Sequence, residues 1–173
     1  MEATANLEFM GAKETLAGVS FDATPTALVL TKFGMPSLAL QEGGAPIAIV
    51  TGGEIALDFT LDGDQYAIGA GGLRGDIPEG LVQVIGNIKA FFQDATLYNK
   101  AVNGTESSLL ATWTDGAHSL AILVPELKYE RSAPGIEGPR GVLVELPFRG
   151  YYENNADATA IKVTLINTQA SYA

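Results

Sequence analysis

The sequence predicts a mainly β protein, a β-sandwich or a partly closed barrel with one short α-helix. Apolar and polar side chains alternate in several segments of the chain, and a two-residue period is typical of half-buried strands. Turn signals separate these segments, as at Thr51-Gly52-Gly53 and Asp115-Gly116. Only residues 95–102 carry helix boundary signals. We therefore predict a single domain over residues 1–173.

Composition argues for a protein that associates with copies of itself. The chain has 20 acidic and 10 basic residues, a net charge of -10, which argues against gripping nucleic acid, since phosphate binding needs clustered cations. Only 17% of residues are charged while 47% are hydrophobic, so apolar surface should remain for a partner, most simply a second copy. There is no cysteine, and neither a signal peptide nor an apolar stretch of membrane-spanning length, so we expect no membrane association.

The first 50 residues contain weak strand signals. Residues 1–24 are rich in small and turn-forming residues and are expected to form an N-terminal arm, in which residues 6–10 alternate enough for an edge strand. Residues 26–31 are β-branched and apolar, and residues 37–41 form another short candidate strand that Gly43-Gly44 ends.

Residues 45–62 should form two strands around the turn Thr51-Gly52-Gly53. In the second strand, apolar and polar positions alternate strictly, with Ile55, Leu57, Phe59 and Leu61 on the dry face and Glu54, Ala56, Asp58, Thr60 and Asp62 on the wet face. The wet face is therefore acidic. Residues 63–80 are a long glycine-rich segment, and residues 81–93 return as a strand, so the two strands make a hairpin whose tip is this long loop.

The middle of the chain contains the helix and the clearest hairpin. Asp94 should cap the helix at residues 95–102, which Asn103-Gly104 should end. Strands at residues 107–114 and 117–124 flank Asp115-Gly116. Pro125 should end the second strand, and residues 126–131 should form another.

The C-terminal part holds the clearest pattern of residues in the sequence. Val142, Val144, Leu146 and Phe148 share one side of a strand, and Ile161, Val163 and Leu165 share one side of the next. The turn-forming residues 153–157 lie between them. We therefore predict that the two strands form an antiparallel hairpin.

These C-terminal residues also carry a family resemblance. The run GPRGVLVELPFRGYY at residues 138–152, followed by IKVTLIN at residues 161–167, resembles the C-terminal end of tail tube proteins of long-tailed bacteriophages. The upstream order of strand, short helix at residues 94–102, strand, turn and strand is also similar, so the resemblance covers roughly residue 54 onward. The matching pattern consists of strands and turns and contains no catalytic signature.

The resemblance implies a structural protein of the virion tail, assembled in the bacterial host cytoplasm. In this family six subunits form a ring, their inner sheets join into a barrel around a channel, and the rings stack into a tube. The implied partners are further copies, the tape measure and other tail proteins, and double-stranded DNA that passes without specific binding. No cofactor is implied.

The resemblance also assigns roles to two groups of residues. The long hairpin would line the channel, with Glu54, Asp58, Thr60 and Asp62 as candidate lining residues. A negative wall repels phosphates and so keeps DNA from sticking. The hairpin tip would contact the next ring through Gly69, Gly71, Gly72, Arg74 and Gly75.

Catalytic and ligand-binding interpretations have little support. His118 is the only histidine and no Gly-x-Ser-x-Gly elbow accompanies it. Asp62-Gly63-Asp64 lacks the continuation of a calcium loop, so a turn is favoured. The glycines of residues 69–75 precede a strand and not the helix that a phosphate-binding loop requires. We therefore expect no enzyme activity and no bound metal.

Two other functions remain open. The first is another tail component of the same fold, such as a distal tail or tail terminator protein. The second, of a different class, is a monomeric β-sandwich module that binds carbohydrate through Trp113, Tyr151 or Tyr152, because aromatic side chains offer stacking platforms for sugars.

Overall fold

The strands lie in a single antiparallel sheet. The computed structural model describes residues 3–20, 22–24, 32–47, 49–66, 68, 71–92, 95–132, 142–152 and 157–168. After a 3-10 turn at Met35–Ser37, the elements in chain order are β1 (Leu38–Glu42), β2 (Ala45–Pro46), β3 (Val50–Asp58), β4 (Gln83–Phe91), α1 (Thr96–Asn103), β5 (Glu106–Asp115), β6 (His118–Tyr129), β7 (Leu143–Tyr151) and β8 (Lys162–Ile166). The predicted mainly β class with one short helix is confirmed for the part of the chain that the structure describes. No helix in those residues has the length and apolar character needed to span a membrane.

The strand order is β2-β1-β5-β6-β7-β4-β3, with β8 paired to β6. The predicted hairpin between the two C-terminal strands is wrong. Glu126 of β6 pairs with Tyr151 of β7, and Leu123 of β6 pairs with Lys162 of β8. Both strands are antiparallel to β6 and therefore run in the same direction, end to end along one edge of it. A hairpin needs opposite directions, so the turn-forming residues between β7 and β8 do not bring the two strands into a shared ladder.

Pro125 lies inside β6, so its prediction as the end of that strand is also wrong. A register shift between Ser107 and Leu109 of β5 lies opposite Pro125. On the other side of β6, the partner changes from β8 at Leu123 to β7 at Glu126. Proline has no N–H to donate and is tolerated where a ladder is irregular. The pairing on both edges of β6 is therefore interrupted at Pro125, while the strand itself continues through this residue.

The core lies between one face of the sheet and the helix. It contains Val84, Ile88, Ala90, Leu97, Ala101, Leu109, Val124, Leu127, Tyr129, Val144, Leu146 and Phe148. The alternation predicted for β7 is confirmed, because Val144, Leu146 and Phe148 are at most 3% exposed. The helix contributes Leu97 and Ala101, which lie four residues apart and therefore on one helix face.

A polar cluster joins the helix to the sheet at the edge of the core. Lys100 Nζ of α1 donates to both carboxylate oxygens of Glu42 at 2.7 Å, and Ser107 Oγ donates to the same carboxylate at 2.5 Å. Glu42 is 8% exposed, so the ion pair is largely removed from water. The hydroxyl of Tyr129 is buried nearby with no hydrogen-bond partner among the described residues. Burial, and secondarily the charge of Glu42, raises the pKa of Tyr129.

The two ends of the helix differ from one another. Gly104 has φ 62° and ends the helix in the left-handed conformation, as predicted. At the start, the cap position is Ala95, which makes no side-chain cap hydrogen bond. The cap predicted at Asp94 lies outside the described residues.

The remaining predictions give a mixed result. The turn predicted at Thr51-Gly52-Gly53 is wrong, because β3 runs through it with only a register shift between Val50 and Gly52. Residues 6–10 are exposed and do not form a strand, whereas residues 26–31 lie outside the described residues. The β5–β6 hairpin is confirmed, with Gly116 at φ 58° in a turn closed by the pair Asp115 and His118.

Candidate assembly surfaces

The sheet face turned away from the core, which we call the polar face, crosses β3, β4, β7 and β6. Opposite residues of antiparallel strands share a face, so the register assigns its members. They are Glu54, Ala56 and Asp58 of β3, Gln83, Ile85, Asn87, Lys89 and Phe91 of β4, Leu143, Glu145, Pro147, Arg149 and Tyr151 of β7, and Glu126 and Lys128 of β6. Glu106 of β5 and Glu130 after β6 reach the same face through ion pairs with Lys128 and Arg149.

Charges on the polar face are predominantly negative. It carries six carboxylates and three cations, so its formal charge is 3 - 6 = -3. Each cation has a carboxylate beside it, with N–O distances of 3.6 Å for Lys89 and Glu145, 2.8 Å for Lys128 and Glu106, and 2.7 Å for Arg149 and Glu130. Hydrogen bonding to the partner carboxylate raises the pKa of Lys128 and that of Arg149. The face therefore presents paired cations and an excess of carboxylates.

Two of the predicted lining residues lie on this face. Glu54 and Asp58 are exposed on β3, and Glu54 Oε1 accepts a hydrogen bond from Asn87 Nδ2 at 2.8 Å. The other two lie beyond the strand, because β3 ends at Asp58, four residues earlier than predicted. The acidic row expected from alternation is therefore divided between the strand and the segment that follows it.

Residues 59–82, which we call the hairpin arm, connect β3 to β4. Its two sides stay adjacent through backbone hydrogen bonds from Gly80 N–H to Phe59 O, from Asp62 N–H to Pro78 O and from Gly75 N–H to Gln65 O, at 3.0–3.1 Å. An isolated antiparallel bridge between Tyr66 and Arg74 lies nearest the tip. The expected long loop is therefore an irregular continuation of the β3–β4 hairpin.

Thr60 and Asp62 form turns at the base of the arm. Thr60 has φ 45°, its N–H donates to Asp58 Oδ1 at 2.8 Å, and its hydroxyl donates to Leu81 O at 3.0 Å. Asp62 accepts from Gln65 Nε2 at 2.6 Å and from the Asp64 N–H at 3.0 Å. These two hydrogen bonds, the first being the stronger cause, lower the pKa of Asp62. The turn predicted at Asp62-Gly63-Asp64 is confirmed.

Of the predicted tip residues, Arg74 contacts the N-terminal segment, described at residues 3–20 and 22–24. Gly71 and Gly72 have φ of 66° and 84°, whereas Gly69 lies outside the described residues. Arg74 Nη1 donates to the carbonyl of Gly11 at 2.8 Å, and its guanidinium lies 5.8 Å from the ring centre of Tyr66. The sequence predicted an N-terminal arm and a long hairpin loop but provided no signal that the two contact each other within one chain.

Apolar residues form a second surface, the apolar patch, at the end of the sheet where β8 lies. The register places Leu38, Trp113, Leu120 and Leu165 side by side in one row across β1, β5, β6 and β8, and Leu40, Ala111, Ile122 and Val163 in the next. These rows continue the face that carries the core residues Leu109 and Val124. Ala111 is buried and five of the eight are half-buried, whereas Val163 and Leu165 at the outer end of the rows are 58% and 56% exposed. Sequence reasoning missed this patch, because its rows depend on the order of strands in the sheet.

The aromatic residues of the carbohydrate hypothesis do not form one platform. Trp113 is level with Leu120 of β6, and Tyr151 is level with Glu126. Six residues of strand separate these levels by roughly 20 Å. Tyr151 lies on the polar face, where Lys128 Nζ is 5.8 Å from its ring centre.

The comparisons with known proteins agree with the resemblance. A family model described as phage tail tube protein matches residues 2–150, and a search of curated proteins found no match. The match includes the first 50 residues, whereas the resemblance found in the sequence begins at about residue 54. The matched region ends before β8. Members of such a family are structural components of the virion tail. The chain therefore belongs to the phage tail tube protein family.

Proposed function

We propose that this protein is the subunit of a phage tail tube, forming hexameric rings that stack around a channel for DNA. The observation that carries the proposal is the uncovered apolar surface. Among the described residues, 23 large hydrophobic residues are exposed, whereas 13 hydrophobic residues are buried. A lone subunit leaves contiguous apolar surface in water, which is unfavourable, and copies of the chain would bury it.

Two features of the sheet support ring formation. β3 is a strand of nine residues that pairs only with β4 among the described residues, so its outer edge is open to another strand. Unpaired edges template association between chains. At the other end, the apolar patch and β8 provide a surface that a neighbouring subunit would cover.

The polar face supports the channel role. With a formal charge of -3 per subunit on this face, six copies would place about 6 × (-3), roughly -18, around each ring. Glu54 and Asp58 are exposed there, and the turns of Thr60 and Asp62 extend the acidic surface into the arm. Such a wall repels the phosphates of passing DNA.

The hairpin arm and the N-terminal segment support stacking. Arg74 joins the two segments, and both carry exposed apolar side chains, including Leu7, Phe9, Tyr66 and Ile68. The candidate tip residues would then contact the next ring. Further partners would be the tape measure and other tail proteins, with assembly in the host cytoplasm and no catalytic step.

Electron microscopy with light scattering tests the proposal. The purified chain should form rings or tubes whose molar masses are multiples of six subunit masses. Deleting residues 69–75 should abolish stacking while circular dichroism shows an unchanged fold. Rings that never stack would favour a distal tail or tail terminator protein, and a strict monomer at every concentration would contradict assembly.

A further inference from the structure

All cations on the strands of this sheet are held in ion pairs. The described strands contain four, Lys89, Lys128, Arg149 and Lys162, and each has a carboxylate oxygen within 3.6 Å. Three of the four lie on the polar face. By contrast, three of the six carboxylates on that face, Glu54, Asp58 and Glu126, have no ion pair among the described residues.

The strand register creates this asymmetry. Lys89 lies directly opposite Glu145, and Lys128 lies directly opposite Glu106. Lys128 also lies opposite Arg149, so two cations are neighbours. Glu106 pairs with Lys128 across β5 and β6, and Glu130, two residues after Lys128, pairs with Arg149. Without these two carboxylates, the cluster would be a dicationic site on an otherwise acidic face.

We propose that these ion pairs mask the cations of the polar face from DNA phosphates; this inference rests on the proposed function of the face as a channel wall. A phosphate that approaches Lys128 or Arg149 must displace a carboxylate already bound to it, and it meets the excess negative charge around the site. Lys128 is further occupied by the ring of Tyr151.

Repetition makes masking necessary. One free cation binds a phosphate weakly, but a tube would repeat the same cation six times in each ring and again in every ring. Many weak contacts on one polymer combine into strong retention. Unmasked cations would therefore hold DNA in a channel through which it has to move.

Two charge-matched double variants test the inference. Glu106→Gln with Glu130→Gln frees Lys128 and Arg149, whereas Glu54→Gln with Asp58→Asn removes two carboxylates of the same face that have no ion pair among the described residues. Both change the net charge from -10 to -10 + 2 = -8. Full-length chains immobilised at equal high density present many copies to duplex DNA, whose retention is measured by surface plasmon resonance over a salt series.

The unmasked variant should retain at least about tenfold more DNA at low salt than the wild type, with the difference lost as salt rises. The matched control should gain much less, because its cations stay paired. Equal gains in both variants would show that net charge alone matters, and no gain in the unmasked variant would show that the pairs only support the sheet; either result overturns the inference. Should the double variant unfold, the single variants Glu130→Gln and Glu54→Gln make the same comparison between a paired and an unpaired carboxylate. Tube formation is not needed, so a wild type that forms no tubes contradicts the proposed function alone.

Discussion

β7 and β8 lie end to end along one edge of β6, yet they differ completely in burial. Both have apolar residues at alternate positions. In β7, Leu146 is fully buried and Phe148 is 1% exposed, whereas in β8 Val163 and Leu165 are 58% and 56% exposed. The difference arises because β7 lies between β6 and β4, with its apolar face in the core, whereas β8 pairs only with β6 among the described residues.

The comparison shows that the same pattern can indicate two kinds of contact. An alternating strand has one face that is unfavourable in water, and the pattern does not specify what covers it. For β7 the cover is the rest of the chain. For β8 we propose that it is another copy, and the following predictions test that distinction.

The largest effect is expected from shortening equivalent leucines in the two strands. Leu146→Ala should lower the free energy of unfolding by about 2–5 kcal/mol because it leaves a cavity in the core. Leu165→Ala should change it by no more than about 0.5 kcal/mol, since the side chain is already exposed. Urea unfolding of the unassembled subunit measures both. Similar losses in the two variants would mean that β8 is as well covered as β7.

A polar contact in the covered region should have the next largest effect. Glu42→Ala leaves the ammonium of Lys100 without its carboxylate in a mostly buried site. Because Lys100 remains 24% exposed, we expect a loss of about 2 kcal/mol, below the usual range for a fully buried pair. The exposed pair provides a control, since Glu106→Gln should cost at most about 0.5 kcal/mol. Comparable thermal shifts for the two variants would contradict this difference.

A charge on the uncovered face should affect assembly but not folding. Leu165→Lys should raise the concentration needed for assembly at least tenfold, equivalent to about 1.4 kcal/mol, because an ammonium would be buried between copies. The control Thr164→Lys adds the same charge on the opposite face of β8. Sedimentation across a concentration series measures both variants. Normal assembly of Leu165→Lys would show that the apolar patch is not an interface.

The smallest effect concerns the buried hydroxyl of Tyr129. Burial raises its pKa in the folded state, so the unfolded chain loses this proton first, near pH 10. The contribution of this proton to the free energy of unfolding is fully present below that pH. It is lost as pH rises, since the unfolded state then binds fewer protons than the folded state. The stabilisation produced by Tyr129→Phe should therefore be about 0.8 kcal/mol larger at about pH 10.5 than at pH 7. Urea unfolding at the two pH values measures it, and an equal difference between the two proteins at both pH values would contradict a buried hydroxyl.

The candidate site was partly predictable. Glu54 and Asp58 were predicted on an exposed acidic face because a two-residue period separates the faces of any strand. Thr60 and Asp62 followed the same pattern, but the strand ends at Asp58, and their hydrogen bonds to nearby groups place them in turns instead. The ion pairs of Lys89, Lys128 and Arg149 were not predictable, since each joins residues that are distant in sequence.

What the sequence determined by itself is local. The alternation in β7, the turn at Gly116 and the end of the helix at Gly104 each depend on the conformational preferences of a few neighbouring residues. Only the tertiary structure decided that β8 continues the line of β7, that Pro125 lies within a strand, and that eight apolar residues from four strands form one patch. These features depend on which strands pair and in which register, and many strands with the same alternation are compatible with many pairings.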